Sequence, residues 1–218
     1  MNSKQADFKI IAPKFIKGIE NNRIAVGEIQ DEDGFRDGCI CDCSIEGQSA
    51  AHVSFEGVIL KNVEFKAVAL NQLELTDTRF ENCDLSNVNF NGAIIHRTEF
   101  INCKLMGLNL SDATLQNVCI EGCNGRFALV SYANMKRVIF SNSVLENSNF
   151  QNSHFEKVQF RECNVRLSQM SGTSLSGIDL SSCDLEGLGI QLEDLRGAIV
   201  TPQQAVDFSK LLGLIVTE

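Results

Sequence analysis

The chain has 218 residues, 44% of them hydrophobic, and carries 28 acidic against 19 basic side chains, a formal net charge of −9. That length and apolar content suffice for one packed domain. The acidic balance argues against direct nucleic-acid binding, which normally needs a basic footprint.

In chain order, the N-terminus MNSKQADFKIIAPKF has no long apolar run, so neither a signal peptide nor a membrane span is expected. Nine cysteines in a chain without an export signal suggest reduced thiols in a cytoplasm. Glu20, Arg23 and Gln30 break the apolar spacing that begins at Phe35, so residues 1–34 read as an N-terminal cap. Within it, Ala6 to Ile16 is apolar enough to lay a strand over the start of the spaced region, and Glu28 to Gly34 reads as a polar connection.

From Phe35 to Val200 every fifth residue is apolar or small, in unbroken phase: Phe55, Leu60, Phe65, Leu70, Leu75, Phe80 and onward, with Gly125 as the empty slot. Period five fits neither a helix nor a strand, so it indicates a repeat architecture. The residue two before each of these is usually small or β-branched, as at Val53, Val58, Cys83, Ala93 and Val118. Two inward and three outward residues per five turn the chain through a corner, and four corners close a square. The cysteines test that closure independently. Cys43, Cys83, Cys103, Cys123, Cys163 and Cys183 are separated by multiples of 20, with Val63 and Ser143 on the missing rungs. Residues 35–200 therefore predict an all-β solenoid, a right-handed quadrilateral β-helix of about eight coils. At roughly 4.8 Å per coil it is about 40 Å long. Its ends expose unpaired backbone groups and need caps.

Local matches such as Cys83-Asp84-Leu85-Ser86-Asn87, Ala133-Asn134-Met135-Lys136-Arg137 and Cys183-Asp184-Leu185-Glu186-Gly187 resemble the A(D/N)LXX unit of the pentapeptide-repeat family. The resemblance covers about three quarters of the chain. It describes a core, and so speaks to fold more than to function.

Residues 201–218 end the chain. Thr201-Pro202-Gln203-Gln204 supplies a capping residue, a proline at the first helical position and Gln at the third. Gly213 should stop the helix, and Leu214-Ile215-Val216 read as a short tail strand. A capping helix with an apolar tail looks like the dimerisation module of Qnr-type pentapeptide proteins, which protect DNA gyrase from quinolones. The resemblance implies a homodimer built through Phe208, Leu212, Leu214, Ile215 and Val216. Burial of the tail against its own last coil is the alternative.

No catalytic constellation emerges. His52, His96 and His154 fall in different columns of the square. A straight file of cysteines cannot converge on one zinc, and Cys39-x-Cys41-x-Cys43 lacks CxxC spacing. The expectation is a non-enzymatic protein without cofactor or metal. Sorting outward residues modulo 20 puts acids on two neighbouring faces, including Glu81, Glu99, Glu121 and Glu162 on one and Asp84 and Glu146 on the other. A third face is balanced. The fourth, rich in Asn, Ser and Gln, holds one charge, Asp112. Residues 35–200 carry 20 acids and 13 bases, far below the ~24 charges of a duplex about 40 Å long. Around Gly125, the outward Phe127 and Tyr132 beside Arg126 suggest a bulge or kink and a contact point. The Qnr-type resemblance implies a DNA mimic that binds DNA gyrase or topoisomerase IV through these acids, Arg126, Phe127 and Tyr132. A generic interaction scaffold, docking through the amide-rich face or the N-terminal cap, is the alternative.

Overall fold

The computed structural model describes residues 8–217. Strands β1 (Gly34–Glu46), β2 (Ser49–Ala51), β3 (Ser54–Lys66), β4 (Ala69–Asn71), β5 (Glu74–Glu81), β6 (Ile94–Ile101), β7 (Thr114–Glu121), β8 (Asn134–Ser141) and β9 (His154–Arg161) are followed by one helix, α1 (Pro202–Ser209). All strand pairs are parallel. The long sheet has seven strands in the order β1-β3-β5-β6-β7-β8-β9, and β2 pairs with β4 beside it. Every register is twenty residues, from Phe35↔Phe55 through Phe140↔Phe160. Isolated bridges carry the same step on to Asn164↔Asp184 and Asp179↔Ile199. The molecule is a β-solenoid whose coil is four pentapeptides.

Its corners have a physical signature. From Asp37 to Gly177 every fifth residue has positive φ, without a break. This left-handed conformation costs most L-residues roughly 1–2 kcal/mol, and least for Gly, Asn and Asp, which explains why Asn82, Asn87, Gly92, Asn102 and Gly107 recur there. Corner amides bond to the next coil: Asn82 N–H donates to the Ile101 carbonyl, Asn87 to Met106 and Gly107 to Arg126. The bond forms only when coils stack, so the corner is a shared property of neighbouring coils.

The two inward residues of each pentapeptide fill one continuous core running from Ile29 to Ile190. Rings stack coil upon coil: Phe80 on Phe100 at 4.9 Å and Phe140 on Phe160 at 5.0 Å, close to the inter-strand spacing of about 4.8 Å. The expected cysteine file is present. Cys83, Cys103, Cys123, Cys163 and Cys183 are buried, and the Cys103 and Cys123 thiols donate to the Phe80 and Phe100 carbonyls. Burial pushes the Cys163 thiol up to about 11. Cys43 begins the file in the first coil and is exposed.

Three expectations are corrected. Cys39 and Cys41 are joined by a disulfide, not reduced; as alternate residues of β1 their Cα atoms lie 5.9 Å apart, within disulfide reach. The segment from Phe8 to Lys17 lays no strand over the first coil. It runs along the outside of the tower, where the Ile11 N–H reaches Asn117 Oδ1 and the Lys14 N–H reaches Asp77 Oδ1. The first coil is covered instead by Asn22–Ile24, which pairs with Cys39 through Cys39 N–H to the Asn22 carbonyl and Ile24 N–H to the Cys39 carbonyl. Ala6 and Asp7 lie outside the described residues. Finally, residues 214–217 form no strand, because among the described residues no edge meets their backbone groups.

The C-terminal cap forms as its sequence directs. Thr201 Oγ1 accepts from Gln204 N–H, and Gln204 Oε1 accepts from Thr201 N–H. The same Gln204 amide donates to the Leu180 and Cys183 carbonyls. One side chain thus closes the helix and satisfies acceptors that the last coil would otherwise leave bare.

Candidate functional site

The two acidic faces are ladders of ion pairs. Because side chains twenty residues apart sit one rung apart, an acid and a base in the same column meet across coils. Glu81 pairs with Lys61 at 2.8 Å, Glu99 with Arg79 at 2.8 Å, Asp84 with Lys104 at 3.0 Å and Glu146 with Arg126 at 3.0 Å. Lys66 bridges Glu46 and Glu64, and Arg166 bridges Asp184 and Glu186. Glu121 and Glu162 make no ion pair among the described residues, and both are exposed. The fold therefore brings four of the six expected acids into neutralised pairs and leaves two without an ion pair among the described residues. Exposed pairs of this kind are each worth about 0–1 kcal/mol; their larger effect is to flatten the field a row of carboxylates would make.

The amide-rich face is occupied with itself. Asn89 donates to Asn71 Oδ1 and Asn109 to Asn89 Oδ1, while Asn89, Asn109 and Asn149 accept from the backbone N–H two residues on. These Asx turns leave the ladder little spare bonding capacity. One coil interrupts it. Phe127 and Tyr132 occupy the corners on either side of this face and are 53% and 63% exposed, and Leu129 stands in the Asn column between them, 43% exposed. No bulge accompanies them. The register runs through as Asn124↔Val144 and Leu129↔Asn149, and φ is 59° at Phe127 and 58° at Tyr132, as at neighbouring corners. The rings stand out because corners point outward. Gly125 is accommodated because the Leu145 side chain occupies the space, lying 2.9 Å from where a Cβ would be. Arg126 is held by Glu146 beside this coil. Sequence reasoning misses Leu129; an apolar residue in a column of Asn109 and Asn149 is the signal that finds it.

The C-terminal module presents the other apolar surface. Phe208 packs on the core, while Leu212, Leu214, Ile215 and Val216 are exposed, Ile215 by 92%. Beside it, between α1 and the Asp184–Leu188 turn, lies an open groove of about 520 Å³ whose lining includes Phe208, Leu211, Gln204 and Glu186. No histidine lines it. His52 and His154 are exposed on separate coils, and His96 lies against Arg97, where burial and then the guanidinium lower its pKa. Among the described residues no group of three His, Cys, Asp or Glu could hold a metal ion, and no helix is long and apolar enough to cross a membrane.

A family model described as a pentapeptide repeat region matches residues 73–150, and one for eight pentapeptide repeats matches residues 148–187. The chain belongs to the pentapeptide-repeat family. Coils from Phe35 to Gln72, upstream of the matched range, keep the same register. A curated relative, the uncharacterized protein YisX of Bacillus subtilis strain 168, is 44% identical over 175 residues, 80% of this chain and 82% of that protein. Among solved structures, HetL, a pentapeptide-repeat protein involved in heterocyst differentiation regulation in Nostoc sp. strain PCC 7120, is 15% identical. It covers 78% of this chain and 90% of its own, with a TM-score of 0.46. QnrB1, a plasmid-mediated fluoroquinolone resistance protein, is 14% identical over 81% of this chain and 100% of its own, with a TM-score of 0.36.

Proposed function

We infer that this pentapeptide-repeat protein is a non-enzymatic interaction scaffold that captures a protein partner on the coil carrying Phe127, Leu129 and Tyr132. One observation carries the reading. Phe127 and Tyr132 sit at left-handed corners where Asn or Gly would cost less, and their rings are exposed, so folding gains little from them. Exposed aromatics on a face whose one charge is Asp112 suit the centre of an interface. Replacing both with Asn should leave the tower folded and remove the partner from pull-downs of the full-length protein. An unchanged set of captured proteins would reject the assignment.

Competition with DNA for a type II topoisomerase is the second reading. It is favoured by the net charge of −9 and by the exposed Glu121 and Glu162, which make no ion pair among the described residues. The ion-pair ladders count against a strong duplex-like field. A supercoiling assay with DNA gyrase and topoisomerase IV, with and without ciprofloxacin, separates the two readings. Neither inhibition nor protection at micromolar protein removes the topoisomerase. For either reading the exposed tail supports a homodimer joined at the C-termini.

A further inference from the structure

Past the N-terminal arm of residues 8–17, the chain reaches the end of the tower at residues 22–24 and closes it against β1. Cys39 N–H donates to the Asn22 carbonyl at 2.8 Å, and Ile24 N–H donates to the Cys39 carbonyl at 2.9 Å. The Ile24 side chain fills the space beside Gly38, where an added Cβ would lie 2.6 Å from its Cδ1, and packs on the core. Arg23 reaches the Asp42 carboxylate at 3.5 Å. Cap contacts at Gly38, Cys39 and Asp42 thus bracket the Cys39–Cys41 disulfide. The tower itself does not need that bridge. The same two positions in the next coils hold Ile59 and Lys61, Arg79 and Glu81, Glu99 and Ile101, and Cys119 and Glu121, and every pair keeps the twenty-residue register. A cross-link over three residues also removes little freedom from the unfolded chain. The two sulfur-bearing side chains are unequally covered: Cys39 is 3% exposed beneath the cap, and Cys41 is partly exposed. Accessible disulfides belong to the reducible, regulatory class.

We propose that Cys39–Cys41 is a reversible thiol–disulfide switch that sets how firmly the N-terminal cap closes the first coil. Two molecules of a small thiol reduce it. The thiolate of the first attacks Cys41 Sγ, the S–S bond breaks, and Cys39 leaves as a thiolate that takes up a proton. The second attacks the sulfur of the first, forming the disulfide of the small thiol and releasing Cys41 as a thiol. Two electrons and two protons pass to the protein, and the reverse sequence restores the bridge. In the oxidised state the bridge ties residues 39 and 41 of an edge strand together across the buried Ile40, so it limits the backbone freedom gained when the cap lifts. Reduction removes that limit and favours the lifted state. The coupling is reciprocal: whatever factor the bridge contributes to cap closure, the closed cap contributes to retention of the bridge.

Wild-type protein is titrated with reduced and oxidised glutathione, and its free thiols are trapped with iodoacetamide. Label should appear on Cys39 and Cys41 together, reversibly, and independently of Cys43. In hydrogen exchange the Ile24 and Cys39 amides should exchange at least tenfold faster in the reduced protein, while the Phe80 and Phe100 amides keep their rates. Cys41→Ser should show the reduced-state rates in both buffers. Ile24→Asp, which lifts the cap, should raise the reduction potential by the matching amount, about 30 mV for a tenfold effect. Free Cys39 and Cys41 thiols in oxidised glutathione, a bridge from Cys41 to Cys43 in its place, a bridge that excess reduced glutathione leaves intact, or equal exchange in the two redox states would each overturn the proposal. An unchanged potential in Ile24→Asp would overturn it as well. Retained protection at Phe80 and Phe100 confirms that each variant is folded.

Discussion

A single residue in five decides how this chain turns. Asn, Asp and Gly dominate the corners because they tolerate positive φ, and the exceptions are informative: Phe127, Tyr132 and Leu167 take the same conformation at greater cost. Phe127→Asn should therefore raise stability by about 0.5–1 kcal/mol while weakening partner binding, a trade measurable by urea unfolding alongside a binding assay. A loss of stability would mean that the exposed ring packs more usefully than its position suggests. Asp77 offers a second test. The Arg97 guanidinium bonds its carboxylate, Nε to Oδ1 at 2.6 Å, and holds the acid below its ordinary range. Its contribution to stability is complete above the unfolded value of about 3.9 and is lost as pH falls through the lowered folded value. Asp77→Asn should flatten the acid limb of the stability profile below about pH 4 and leave its shape at neutral pH unchanged.

At the scale of elements, the repeating coil is legible in the sequence and the terminal pieces are legible only in part. Period five, the twenty-residue cysteine spacing and the Thr201-Pro202-Gln204 start signal all correspond to what forms, because each is a local or strictly periodic rule. Gly125 suggests a bulge, but Leu145 fills the space and the ladder continues. The path of the arm is not legible, because its anchors, Asp77 and Asn117, are 63 and 106 residues away from the amides they accept. Gln204 carries the prediction at this level. It closes the capping box and caps two carbonyls of the last coil, so Gln204→Ala should cost about 1–2 kcal/mol and fray the C-terminal end first. Hydrogen exchange that opens evenly along the tower would contradict this.

For the whole molecule, stacking turns a sequence column into a physical column, and charge is the clearest consequence. Modulo-20 sorting assigns acids to two faces, yet the same stacking sets Lys61, Arg79, Lys104 and Arg126 beside Glu81, Glu99, Asp84 and Glu146. Ends matter as much as sides in a solenoid. The apolar tail, with Ile215 92% exposed, should associate with a second copy. Ile215→Asp should yield a monomer near the chain mass of 24.0 kDa in sedimentation equilibrium, with the melting curve of the tower little changed. A wild type already monomeric at tens of micromolar would remove the dimer.

What the sequence determined by itself was the twenty-residue coil, its inward residues and the capping helix, since these arise from periodicities and caps that act within a few residues or repeat without exception. Tertiary structure decided which charges cancel, where the N-terminal arm lies and which apolar side chains stay in solvent. Those outcomes depend on the approach of groups that are remote along the chain, and only the stacked coils fix those distances.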